Sequence, residues 1–237
     1  MRTSKLLLLA TLLNVAGAIQ ANAQTITSPY AFIEKKKDIG PFIGYMFTDR
    51  GSVGLGPYSG PLAGVQFAIR LSDPINLGAY VSYFPSERDV IDPSTETGGR
   101  VIGKTSMNML LLAGQLRLQL TGSRTWHSLV PFFYGGGGAA FDVSSPPSCF
   151  DESSQPNCQL TPRERFDFGV SFMGQIGFGT VWLPFRRVGF RLTIDDTIWR
   201  LTTPDGYYDD TSTINPIPPK RDWTNNIQIA VGAYYWF

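Results

Sequence analysis

Chemistry in this chain would have to start from very few residues. Its one histidine, His127, stands in TGSRTWHSLVP beside Ser128. A hydrolytic centre acting on lipid or peptide needs an imidazole within hydrogen-bond reach of a nucleophile or an acid, with the pair oriented by a third group. A serine that directly follows the histidine on a turn does not supply that geometry. We read His127 as a turn residue near a membrane interface and expect no enzyme. The acidic residues Asp205, Asp209 and Asp210 do not follow the spacing of a calcium loop and read as solvated loop acids. No metal and no cofactor are expected.

The elements that surround these residues are those of an exported chain. Arg2 and Lys5 precede an apolar run from Leu6 to Leu13, and the small-residue site Ala21-Asn22-Ala23 follows. This is the pattern of a secretory signal peptide cleaved after Ala23. Its loss removes two positive charges and no negative one, so the formal net charge falls from +1 to −1. A chain so close to neutral is a poor partner for nucleic acid. In an exported chain Cys149 and Cys158, in the Pro/Ser-rich SSPPSCFDESSQPNCQLTP, read as a disulfide closing a loop. Metal binding by the pair is the weaker reading, since no histidine or third cysteine lies nearby.

No later segment has the roughly 18 uninterrupted apolar residues of a membrane helix. Any crossing of a bilayer must be made by strands. With 25 glycines, 17 prolines and 13% aromatic residues, the composition suits an all-β export product. Eight stretches alternate with a period of two, at 38–48, 62–71, 75–84, 108–120, 129–143, 166–182, 188–199 and 225–237. One face of each is apolar. The other carries Gln66, Arg70, Gln115, Arg117, Asp167, Gln175, Arg191, Asp195 and Gln228, among many glycines.

Connections after the second, fourth and sixth stretches are brief, and those after the first, third, fifth and seventh are long. The expected fold is therefore an eight-stranded antiparallel up-and-down transmembrane β-barrel with short periplasmic turns and long extracellular loops. Tyr45, Phe47, Tyr83, Trp182, Trp199 and Tyr235 fall where interfacial girdle residues belong. Asp196 lands on the lipid face unless a bulge at Asp195-Asp196 shifts it. The domain reading is a leader at 1–23, a periplasmic segment at 24–37 whose Glu34 and three lysines run up to Asp38, and a barrel at 38–237. A soluble exported β-sandwich or lipocalin-like barrel shares the alternation and is the competing fold.

The leader, the PFFYGGGGAAF strand, the spacing of the stretches and the terminal Tyr235-x-Phe237 resemble the small outer-membrane β-barrel superfamily of OmpA-like and OmpX-like proteins. That resemblance implies the outer membrane of a Gram-negative-type envelope. It implies that Tyr235 and Phe237 form the signal read by the barrel-assembly machinery, with periplasmic chaperones as further partners. No domain is expected after the barrel, so peptidoglycan anchoring is not implied. Lipid-modifying enzymes and narrow channels are the alternatives within such barrels. An eight-stranded barrel is just wide enough to be filled by its own side chains, so Arg70, Arg117 and Arg191, offset by Asp167 and Asp195, should make a hydrogen-bonded plug. The polar loops SERDVIDPSTETGGR and TTPDGYYDDTSTINPIPPKRD are then expected to face lipopolysaccharide or a surface partner.

Overall fold

The computed structural model describes residues 28–94, 100–144, 156–209, 212, 214 and 217–237. The leader, Cys149 and Asp210 lie outside these. The chain runs through β1 (Tyr30–Phe32), β2 (Lys37–Phe47), β3 (Gly60–Arg70), β4 (Ile75–Phe84), β5 (Glu87–Asp92) and β6 (Arg100–Ser106). It continues through β7 (Met109–Gln119), β8 (Arg124–Trp126), β9 (Leu129–Asp142), β10 (Val170–Trp182), β11 (Val188–Thr202) and β12 (Arg221–Trp236). The helical pieces among the described residues are two short 3-10 turns, Pro156–Gln159 and Asp205–Tyr208.

Eight strands close into an antiparallel barrel in the order β2-β3-β4-β7-β9-β10-β11-β12, with β12 returning to pair β2. Closure leaves no free edge, as a bilayer demands of any sheet that spans it. Burial follows the pleat: every second residue of β4 from Ile75 to Phe84 points inward, and β12 alternates in the same way through most of its length. The wall faces outward with Ile43, Val65, Leu77, Leu116, Phe133, Phe178, Leu192 and Val231. A walk across partners from Ile43, in the middle of β2, passes Ala63, Tyr83, Leu110 and Phe141 to reach Val170, the first residue of β10. This stagger is the strand tilt that closure requires.

Two glycines of the run Gly135–Gly138, Gly136 and Gly138, have a steric cause. A Cβ on Gly138 would lie 2.7 Å from the Cα of Ala113, and one on Gly136 would lie 3.0 Å from the Cα of Gln115, both on neighbouring β7. Glycine lets β7 and β9 approach where no side chain fits. At the closing seam, pairing runs from Ile227↔Phe47 to Gly232↔Phe42 and resumes at Tyr235↔Ile39. The gap falls at Pro41, which has no N–H to give.

Three expectations need correction. The polar stretch after β4 folds as a hairpin of its own, β5 with β6, because Val90 and Ile91 are buried against the barrel mouth. The sixth barrel strand starts at Val170, not Phe166: Gly169 sits at φ +57 and breaks the pleat, so Phe166 and Phe168 turn inward. Trp199 is not a girdle residue. It shares the inward parity of Arg191, Thr193, Asp195 and Thr197 and is fully buried, its ring edge-on to Phe168 at 6.2 Å. No bulge forms at Asp195-Asp196, where the β11–β12 register is continuous. Asp196 faces outward, half-buried, and accepts a hydrogen bond from the Asn226 N–H at 3.0 Å.

Candidate functional site

The lumen is filled in three layers, and the middle one carries the polar groups. Gln66 Nε2 donates to Gln115 Oε1 at 2.8 Å, Gln115 Nε2 to Gln175 Oε1 at 2.6 Å, and Gln175 Nε2 to Asp195 Oδ2 at 2.6 Å. This chain of amides spans the barrel from β3 through β7 and β10 to β11. Asp195 also accepts from Tyr134 Oη at 2.6 Å and from Thr197 Oγ1 at 3.2 Å. On the far side Arg191 donates through Nη1 to Gln66 Oε1 at 2.9 Å and through Nη2 to Asp38 Oδ1 at 2.8 Å. Its guanidinium lies 3.8 Å from the ring centroid of Tyr234, whose hydroxyl donates to Gln66 Oε1 at 3.0 Å.

Arg117 is equally buried. It reaches Gln115 Oε1 at 3.4 Å and stands 5.7 Å from the Phe132 ring. Gly78 gives it room, since a Cβ there would lie 3.1 Å from Nη2. Gln228 lines a cavity of the belt with Phe42 and Tyr80, and that cavity measures ≈10 Å³. One water needs about that much.

Beneath the belt Val130, Phe132, Val181 and Trp236 pack together with Ile33 and Leu183. The segment before β2 seals this end. β1 pairs with β8, the Ile33 N–H donates to Ser123 O at 2.8 Å, and Arg70 Nη1 donates to Ile33 O at 2.9 Å. Above the belt is a larger apolar layer with Met46, Met107, Met109, Met173, Phe84 and Trp199 at its centre. Leu55, Ile91, Phe166 and Tyr207 come down onto it from the long connections.

Those connections form a folded cap. Tyr58 lies between the guanidinium of Arg50 at 4.1 Å and the ammonium of Lys104 at 4.5 Å from its centroid. Its hydroxyl donates to Asp89, which also pairs with Arg50. Arg88 Nη2 donates to Phe166 O at 3.0 Å, and Tyr207 Oη donates to Ile91 O at 2.9 Å. Burial lowers the Arg88 guanidinium from its ordinary value and raises the Tyr207 phenol above its own.

The expected inward residues are thus brought together unevenly. Gln66, Gln115, Arg117, Gln175, Arg191, Asp195 and Gln228 are all buried in the lumen. Arg70 is half-buried at the short-turn mouth of the barrel, away from the belt. Asp167 is not a lumen residue: it precedes the Gly169 break, is exposed, and accepts the Gly169 N–H at 2.9 Å. The carboxylate that answers Arg191 is Asp38, which sequence reasoning left in a lysine-rich flank. Its signal was phase, since it lies two residues before Gly40 and four before Phe42 on the inward side.

His127 and Ser128 occupy a tight turn at φ 50 and φ 63, with the imidazole 5.1 Å from the Trp126 ring. Cys158 is buried in its 3-10 turn, and its expected partner Cys149 is outside the described residues. Tyr235 and Phe237 face outward with rings 6.4 Å apart, and Phe237 exchanges backbone hydrogen bonds with Lys37 at 2.9 and 3.2 Å. Among the described residues no group of three or more His, Cys, Asp or Glu is placed to hold a metal.

No family profile and no curated protein matches this chain. Solved structures do. The outer membrane protein OprG of Pseudomonas aeruginosa superposes with a TM-score of 0.51 at 12% identity, covering 86% of this chain and 96% of OprG. Neisserial surface protein A gives a TM-score of 0.46 at 9% identity, over 89% and 98% of the two chains. The N-terminal β-barrel domain of Pseudomonas aeruginosa OprF gives 0.41 at 10%, over 84% and 98%. At such identities the OprG match speaks to architecture alone, and with the closed register it makes this chain an eight-stranded barrel with the fold of the small outer-membrane proteins.

Proposed function

We propose that this protein is exported, inserts into the outer membrane of a Gram-negative-type envelope, and acts there as a sealed, non-enzymatic barrel. Its role is envelope structure or surface interaction through the extracellular cap. The observation that carries this reading is the filled lumen: an apolar layer above, a bonded polar belt in the middle and an aromatic layer below leave the outer surface as the place for contact with other molecules. The wall supports the membrane assignment, because most of its outward residues are aliphatic, aromatic or glycine, with Asp196 the carboxylate among those of β11. A soluble sandwich would set polar residues there. Tyr235 and Phe237 serve as the assembly signal, the Cys149–Cys158 disulfide ties down the longest connection, and outer-leaflet lipopolysaccharide surrounds the cap.

The test is gel migration of protein extracted from outer-membrane fractions, boiled and unboiled, beside a variant lacking Phe237, with protease added to intact cells. The expected result is a compact unboiled species, cleavage confined to the long connections, and accumulation of the truncated variant in the periplasm. Protein that is soluble without detergent and migrates alike under both conditions would overturn the proposal.

A further inference from the structure

We propose that a groove on the rim of the short-turn mouth holds the headgroup of a phosphatidylethanolamine-type phospholipid, one that carries both a phosphate and a primary ammonium. The inference rests on the membrane reading above. Two turns and the segment before β2 build the groove. The turn from β3 to β4 gives Asp73, the end of β7 and the turn after it give Gln119, Leu120 and Thr121, and β8 and β1 give Arg124 and Phe32. The Gln119 N–H donates to Pro74 O at 2.9 Å, which ties the first two walls together, and Phe32 stands directly across from Arg124 in the third. The volume is ≈510 Å³, within the range of small-ligand sites.

Its walls carry opposite charges that do not meet. Arg124 is exposed, with its guanidinium 4.8 Å from the Phe32 ring, and Asp73 is exposed as well. Among the described residues neither takes part in an ion pair. Two further oxygens of the groove, Gln119 Oε1 and Thr121 Oγ1, are buried without a hydrogen-bond partner. Gln119 is only 5% exposed, so its carbonyl bears a desolvation cost that nothing in the chain offsets. A primary ammonium brings three N–H donors and no acceptor. Asp73, Gln119 and Thr121 offer it three oxygens, and Arg124 offers the phosphate a guanidinium. A trimethylammonium has no N–H to give, and a glycerol headgroup has no cation for Asp73, so neither completes the set.

The rim also joins this polar groove to the apolar wall, which points to a lipid as the source of the headgroup. Gln119 belongs to the lumen side of β7 and Leu120 to its outward side. Beyond Leu120 the outward residues form an aliphatic column, with Leu118 directly across from Ile75 and Leu116 directly across from Leu77. All five side chains are exposed. An acyl chain that leaves the headgroup at Leu120 therefore lies along aliphatic side chains as far as Leu116, about 13 Å of strand. A free headgroup would gain nothing from that column.

Native mass spectrometry of the full protein in detergent tests the assignment, with titrations of phosphatidylethanolamine, phosphatidylcholine and phosphatidylglycerol of matched chains and of chain-free glycerophosphoethanolamine. Phosphatidylethanolamine should bind at least about tenfold tighter than any of the other three, the loss expected when hydrogen bonds to a charged group go unmade. Asp73→Asn should bring it down to the level of phosphatidylcholine, and Arg124→Gln should weaken all three phospholipids alike. Lys220→Gln, at the opposite end of the barrel, should change nothing. The comparison of lipids on the unaltered protein needs no variant, so a variant that does not fold leaves the test intact. Heat-modifiable migration of the unaltered protein is checked first, so that failure to form a barrel counts against the membrane reading and not the site. Equal binding of phosphatidylethanolamine and phosphatidylcholine, an unchanged preference in folded Asp73→Asn, or chain-free headgroup binding as tightly as the lipid would overturn the proposal.

Discussion

Asp38 and Arg191 form an ion pair that is almost wholly buried, at 2.8 Å. A buried charge that loses its partner costs far more than the pair itself contributes. Asp38→Asn should therefore lower unfolding stability in detergent-urea titrations by about 3–5 kcal/mol. Asp38→Asn combined with Arg191→Met should recover most of that loss, since neither member of the pair is then left as an unanswered charge. This pair also shows what a sequence hides. Gln66, Gln115, Gln175 and Asp195 are legible as lumen residues from parity alone, because a pleat assigns each residue a side. Which acid answers which arginine depends on stagger around the barrel, and parity says nothing of that. Asp38 was obscured by the three lysines before it, and Asp167 was misplaced because one glycine at positive φ reverses the parity of everything on its far side.

The strand from Leu129 to Asp142 shows how an element is set by its neighbour. Gly138 faces the β7 backbone so closely that a Cβ would collide with Ala113 and Leu112. Gly114, by contrast, has nothing within 4 Å of a Cβ. Gly138→Val should force β7 and β9 apart and cost about 3 kcal/mol or more, seen as loss of the compact unboiled species. Gly114→Ala should stay within about 0.5 kcal/mol of the parent protein. The barrel strands were readable because each is long and one-sided. The hairpin of β5 and β6 was not, because its stretch is rich in charge and its two most buried apolar residues, Val90 and Ile91, are consecutive. Such a pair gives no period. Its strands exist because the barrel mouth offers an apolar layer to cover, and that surface is assembled from residues far away in the chain.

For the molecule as a whole, the lumen is packed in three stacked layers, and any one of them should suffice to close it. In planar bilayers the protein should show no steady conductance above the membrane baseline. Gln115→Ala with Gln175→Ala, which removes the two central amides of the polar belt, should leave it non-conducting, because the methionine-rich layer above and the Phe132–Trp236 layer below are untouched. Stable, porin-sized steps from the parent protein would contradict the layered description. The closing seam carries a consequence of another kind, one of time. β2 and β12 stand at opposite ends of the barrel's run of sequence, so neither finds its partner until all the strands between them are in order. Until then the chain carries two raw edges, and long-range pairing of this sort is intrinsically slow and open to aggregation. The Lys37–Phe237 exchange that ends the seam is therefore the latch of the structure, and the rate at which it engages sets how long an unfinished barrel must be sheltered.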